Sequence, residues 1–235
     1  MNAPVEGRPY QLTGAVLDKG RTIIGVASEG LKPAGLIAAG AVVLFAIGFS
    51  VAGIFFLAGS VAVLLFFRDP ERKTQARPGD IFSPADGRVV AVGPVAEERY
   101  LKGPAMRISV FMSIFNVHIN RIPLPGRVLE VKHLPGGFRM AHLDEASLQN
   151  ERTEILMEDP SGRRALMVQV AGLVARRIIC RLVSGERVET GRRFGLICFG
   201  SRVDLYLPPE TASAVNVGDR VRAGLSVVGR LESNG

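Results

Sequence analysis

The stretch "LICFGSRVDLYLP", Leu196 to Pro208, sets a small Gly-Ser step between two apolar runs. After the step, Val203, Leu205 and Leu207 alternate with Arg202, Asp204 and Tyr206. Period-two alternation marks a strand with one buried face and one wet face. A Gly-Ser pair at the mouth of such a strand reads as a bulge or tight turn. It also reads as a serine at a chemical centre, and the residues of the strand alone leave both readings open.

Outward from this strand, the chain from Asp80 onward is rich in further ones. "GRVVAV", "MRISVFMSI", "GRVLEVKHL", "TEILME" and "RALMVQVAG" are short, β-branched and bounded by turn residues. "EDPSGR" between the last two predicts a hairpin turn, with Pro160 and Gly162 supplying its special backbone angles. "LDEASLQN", Leu143–Asn150, predicts one short helix with Asp144 as its cap. Residues 173–183 fit either helix or strand. "SPADGRVVAVG" and "VGDRVRAGLSVVGRL" resemble the two halves of a biotinyl/lipoyl-type β-sandwich. The lysine such carriers modify is missing, so a swinging arm is not expected. The fold class predicted is mainly β, a sandwich- or barrel-like domain with biotinyl/lipoyl-like features and few short helices.

Ahead of this domain the composition changes. The chain has 235 residues, 47% of them hydrophobic, with a mean hydropathy of +0.24. The excess sits between Ala34 and Phe67, where no residue is charged. A spanning helix needs about 20 apolar residues, so this run is long for one untilted span and short for two. "GFSVAG", Gly48–Gly53, predicts a break into a helical hairpin of two roughly 16-residue helices; one long tilted span is the alternative. Lys19, Arg21 and Lys32 precede the run, and Arg68, Arg72, Lys73 and Arg77 follow it. Basic flanks on both sides favour the hairpin, with both ends on the cytoplasmic face of the cell membrane. The division expected is 1–33 membrane-surface segment, 34–67 hydrophobic hairpin, 68–79 linker and 80–235 strand-rich domain.

The formal charge is +7, which suits either nucleic acid or an anionic membrane. The chain has no Trp, three Tyr and no nucleic-acid motif, so no nucleic-acid partner is expected. Cys180 and Cys198 lie 18 positions apart with no CxxC pair, and Cys198 reads as a buried structural thiol. His133 and His142 have no metal-ligand spacing and no metal is expected. Three stretches hold candidate chemistry: "SPADGRV" with Asp86, "FNVHINRIPLPG" with His118 and Arg121, and "FGSRVD" with Ser201. An Asp, a His and a Ser beside turn residues could form an orienter–base–nucleophile set, a weak signal from spacing alone.

"SPADG", "FNVHINRIP", the block from Gly136 to Arg152 ending in "NER", and "FGSRVDLYLP" together resemble phosphatidylserine decarboxylase in its compact bacterial and archaeal (type A) form. The resemblance runs in order from about Arg68 to Val228. It implies a proenzyme that cuts itself between Gly200 and Ser201, giving a β chain, 1–200, and an α chain, 201–235, which stay together as a heterodimer. It implies a pyruvoyl group made from Ser201, a covalent cofactor that forms a Schiff base with the substrate amine. It further implies His118 as general base and Asp86 as the residue that orients it. The substrate implied is a membrane phospholipid, phosphatidylserine, converted to phosphatidylethanolamine; archaetidylserine is the related alternative. In the larger enzymes the block matching "FNVHINRIP" has a second histidine, which here is Arg121, so one histidine serves both steps. Arg121 then reads as a ligand for the lipid phosphate or the departing carboxylate, or as a solvated strand-edge charge. Asn120 and Phe138 are further substrate-binding candidates, with "GGF", Gly136–Phe138, as a loop lining the lipid site. Glu151 and Arg152 are an expected ion pair. Whether a higher oligomer forms is left open. Two other readings are a membrane-tethered β-sandwich carrier or scaffold, and a serine hydrolase, against which the missing Gly-x-Ser-x-Gly elbow counts.

Overall fold

The computed structural model describes residues 22–23, 25–137, 150–172, 178–198 and 200–231. The chain forms two compact units, one ending at Glu71 and the other beginning at Arg72.

The first unit holds strands β1 (Thr22–Ile23) and β2 (Val26–Ala27), then helices α1 (Ser28–Ala46) and α2 (Ser50–Phe66). The hairpin, not the single tilted span, is what forms. Its break is narrower than "GFSVAG": only Ile47–Phe49 leave the helices, and Gly53 lies inside α2. Gly48 makes the reversal, with φ at +87°, the left-handed conformation that ends many helices. α1 also starts before the charge-free run, taking in Glu29, Lys32 and Pro33. The helices meet through small residues, Gly30, Ala34 and Ala41 on α1 against Gly53 and Ser60 on α2. A Cβ at Gly53 would lie 2.9 Å from the Phe45 ring. Ser60 Oγ donates to the Ala34 carbonyl across the pair (2.9 Å), satisfying a hydroxyl in an otherwise apolar seam. Small residues of this kind let two helices approach where lipid competes for apolar contact. Leu36, Val43, Phe49, Phe55, Leu57 and Leu65 all point outward and are exposed. The two ends of the hairpin are tied together: Ala27 N–H donates to the Phe67 carbonyl (2.8 Å), and Asp69 N–H to Gly25 (2.7 Å).

The second unit is built of strands. In chain order these are β3 (Asp80–Phe82), β4 (Gly87–Glu97), β5 (Gly103–Met112), β6 (Ile119–Arg121), β7 (Gly126–Leu134), β8 (Arg152–Glu158) and β9 (Arg164–Val170). They are followed by β10 (Ile178–Cys180), β11 (Arg187–Val188), β12 (Arg193–Ile197), β13 (Ser201–Leu207), β14 (Ala212–Ser213), β15 (Arg220–Val221) and β16 (Val227–Arg230). Eight make one antiparallel sheet in the order β11-β7-β8-β9-β13-β5-β4-β15, with β10-β12-β6 and β14-β16-β3 as two small sheets. The main core includes Ile108, Val110, Met157, Met167 and Val203 from the large sheet, Phe194 and Ile197 from one small sheet, and Ile81 and Val228 from the other. The biotinyl/lipoyl-like halves meet as their resemblance implied. Ser83 N–H donates to Ser226 O (2.8 Å), Gly224 N–H to Ser83 O (2.9 Å), and β15 pairs with β4. The "EDPSGR" turn forms, with Gly162 at φ +81° and Gly162 N–H donating to Asp159 O.

Some expectations are corrected. β13 is not half-buried: it is a central strand, paired with both β9 and β5, and Arg202 and Asp204 are as buried as Val203 and Leu205. Arg202 Nε sits 2.8 Å from Asp204 Oδ1, so the polar half of the alternation is an internal ion pair. Residues 178–180 of the ambiguous segment are strand; the helix expected at 143–150 and residues 173–177 lie outside the described residues, Asn150 excepted. Arg152 pairs with Glu154 (2.9 Å), not Glu151, whose carboxylate faces His133 Nε2 (3.6 Å).

Glu154 is the hub of the polar cluster on the other sheet face. Its buried carboxylate accepts from Arg99, from Arg152 Nε (2.9 Å) and from Tyr100 Oη (2.8 Å). Burial alone would raise its pKa, but these donors outweigh burial and hold it below the usual carboxylate value. A carboxyl lowered in the folded state stabilises the fold above the unfolded-state value and loses that contribution as pH falls through the folded one. Glu154→Gln is therefore expected to cost about 2 kcal/mol at neutral pH and to flatten the loss of thermal stability below the ordinary value of 4.5, read as melting temperature against pH.

Candidate active site

Two chain segments cross side by side between the large sheet and the small sheet β10-β12-β6. One leaves β5 at Met112 and enters β6 at Ile119; the other leaves β12 at Ile197 and enters β13 at Ser201. Antiparallel register sets Ser201 opposite Met112 and Leu196 opposite Ile119. Ile197 N–H reaches the His118 carbonyl (3.4 Å). Ser201 and His118 thus lie on neighbouring crossings of one seam, 0% and 2% exposed. Asn120 laces the seam shut: its Nδ2 donates to Met112 Sδ (3.6 Å), and its Oδ1 accepts from Gln169 Nε2 on β9 (2.8 Å).

Ser201 Oγ is buried without a hydrogen-bond partner among the described residues. Leaving a hydroxyl in that condition costs about 1–3 kcal/mol, and such groups gather at sites of chemistry. The residue before it, Gly200, has φ +59°. A Cβ there would meet nothing within 4 Å, so backbone conformation and not crowding is what calls for glycine.

The "SPADG" turn is held against this seam, since Arg121 N–H donates to the Pro84 carbonyl (2.9 Å). Asp86 is not hydrogen-bonded to His118, as the resemblance had implied. Its Oδ2 accepts from Arg72 Nη2 (2.8 Å), and its Oδ1 accepts from Arg72 Nη1 and from Ala223 N–H (2.7 Å). Arg121 is no solvated edge charge. It is buried, and its Nη1 donates to the Gly191 carbonyl (3.0 Å). Phe138 lies outside the described residues. Cys198 is only half-buried, whereas Cys180 is fully buried and its thiol is pushed up to about 12 by that burial.

Three residues of this region escaped the reading of the sequence. Arg72 looked like linker charge, yet it clamps Asp86 and also donates to the Ala223 carbonyl (2.8 Å), while Thr74 Oγ1 donates to Gly224 O (2.7 Å). Gln169 carried a legible signal, a lone amide in the apolar run "ALMVQVAG".

The sequence is similar to known proteins over most of its length. The family model described as phosphatidylserine decarboxylase matches residues 61–229, and the chain belongs to that family. The phosphatidylserine decarboxylase proenzyme of Syntrophotalea carbinolica is 47% identical over 207 residues, covering 88% of this chain and 97% of that one. The proenzyme of the same description from Paramagnetospirillum magneticum is 52% identical over 171 residues, 72% and 71% of the two chains. That from Geobacter metallireducens is 44% identical over 196 residues, 81% and 89%.

Removing Arg72 leaves the Asp86 carboxylate buried with its charge uncompensated. Arg72→Met is expected to cost about 3 kcal/mol, read by denaturant unfolding. Arg72→Met combined with Asp86→Asn should cost less than the sum of the single changes.

Proposed function

We propose that this chain is a self-processing decarboxylase that converts phosphatidylserine to phosphatidylethanolamine at a membrane. The observation that carries the proposal is the buried, unbonded Ser201 Oγ behind a left-handed glycine, in a chain of this family. Gly200–Ser201 is the bond we assign to the cut. Ser201 Oγ attacks the Gly200 carbonyl carbon, the peptide nitrogen leaves it, and an ester links the two residues. Loss of the Ser201 α-proton expels Gly200 as a carboxylate and leaves dehydroalanine. Tautomerisation and hydrolysis then release ammonia and leave a pyruvoyl group.

His118 is the base we assign to these proton transfers, since imidazole is the side chain best suited to general acid–base work near neutrality. Asp86 is a positioning residue. Its carboxylate, fixed by Arg72 and Ala223 N–H, acts on the seam through the Pro84–Arg121 contact. The residues near the seam suit a small carbonyl group: Asn120 and Gln169 form a buried polar pair that reaches Met112, the residue opposite Ser201, and His118 is buried on the adjoining crossing. A pyruvoyl ketone supplies an electron sink for loss of carbon dioxide from an amine-bearing substrate. His118 would return a proton to the substrate carbon. Arg121, Asn120 and Phe138 remain the substrate-binding candidates, although the Arg121 contact with Gly191 ties up part of its guanidinium.

The cut need not part the two chains. β13 stays paired on both edges, with β5 and β9, and β16 and β15 pair with β3 and β4. The α chain is thus woven through two sheets. The helical hairpin is the membrane anchor in this reading. α1, 19 residues long, extends about 28 Å at the usual rise, against about 30 Å of hydrocarbon. Its basic flanks assign both ends to the cytoplasmic face, and the four divisions at 33, 67 and 79 remain our reading of the chain.

Intact-mass measurement of the purified protein tests the cut. Two chains are expected, the smaller of 35 residues (201–235) and blocked at its N-terminus. Ser201→Ala should remain one uncut, inactive chain. His118→Ala should slow cutting by a factor of about 10²–10⁴, and full processing of that variant would remove His118 from the step. Release of carbon dioxide from phosphatidylserine in vesicles tests the substrate.

A further inference from the structure

The seam that holds Ser201 and His118 continues into the loop between β5 and β6. Its tip is Ile114 and Phe115, 50% and 80% exposed; Phe115 is the most exposed of the large apolar side chains among the described residues. The tip is a built turn. Asn116 Oδ1 accepts from both the N–H and the Oγ of Ser113 (2.9 and 2.8 Å), and Asn116 N–H donates to Ser113 O (3.0 Å). No Asp, Glu, Lys or Arg occurs from Ile108 to Asn120. Two residues before Ile114 is Met112, opposite Ser201; three after Phe115 is His118.

A fixed turn that shows two adjacent large apolar side chains, without charge, needs an apolar environment to cover them. Its place at the seam says which one. We propose that Ile114 and Phe115 are a second membrane contact, made by the catalytic unit itself, which dips into the boundary between headgroups and acyl chains beside the site. A lipid headgroup could then enter the seam while its chains stay in the bilayer. This rests on the membrane-phospholipid reading above, and it is independent of the helical hairpin. A side chain of this kind, apolar and without a charge to desolvate, gains from leaving water at the interface.

The absence of tryptophan makes the test direct. Phe115→Trp in the full chain, reconstituted in vesicles, introduces the sole indole. Its emission should shift to the blue and be lost when the vesicles contain phospholipid brominated near the headgroup end of the acyl chain. Ser161→Trp, in the exposed β8–β9 turn at the other end of β9, should show neither change. Unquenched Phe115→Trp emission, in protein that floats with the vesicles, overturns the inference. Carbon dioxide release by the same sample reads the proposed function separately. Ile114→Ser with Phe115→Ser should raise the apparent KM for phosphatidylserine in vesicles roughly tenfold. KM for a monomeric short-chain phosphatidylserine should not change. An equal rise on both substrates would mean a distorted site, and would also overturn the inference.

Discussion

The antiparallel clamp on β13 is the constraint from which the rest follows. Seven residues from Ser201 to Leu207 pair with Met112 to Met106 on one side, and five of them with β9 on the other. That pairing fixes the register, and register decides face: a slip of one residue would turn Ser201 outward to the Arg202 side. With it fixed, Ser201 faces the main core, and its hydroxyl is shut away from water. The same pairing would hold the strand in the sheet after a cut at its first residue. A bond at the edge of a sheet would offer neither burial nor retention.

The helical unit owes its form to different physics. In α1 and α2 nearly every side chain is apolar, so hydrophobicity cannot select the contact between them. Size selects it instead. Gly30, Ala34, Ala41, Gly53 and Ser60 are buried, with Phe66 the one large side chain buried beside them, and most of the larger residues turn outward. The outer surface left by that choice suits lipid, and the one polar side chain in the seam is bonded within the pair.

Much of this was legible in the chain. The strands with their turn residues, the hairpin break near Gly48, and the pairing of the "SPADG" half with the C-terminal half follow from local pattern. Other features were not, and the reasons are specific. Alternation in "SRVDLYL" implied a wet face because an ion pair, Arg202 with Asp204, looks like surface charge when read along a strand. Arg72 looked like a membrane flank because its partner, Asp86, is far along the chain by the measure of local pattern. Arg121 was left open between a ligand and a solvated edge charge for the same reason, since the carbonyl it meets, that of Gly191, is 70 positions away.

The sequence by itself determined the family, the candidate residues for its chemistry and the part of the chain that is apolar enough for lipid, since residue type, local spacing and hydropathy are properties of the chain. Tertiary structure alone decided what those residues touch. Whether Asp86 meets His118 or Arg72, whether a charged residue is wet or paired, and which loop stands beside Ser201 all depend on contacts between distant segments. Those contacts are chosen by packing and strand register, which no local window of the chain contains.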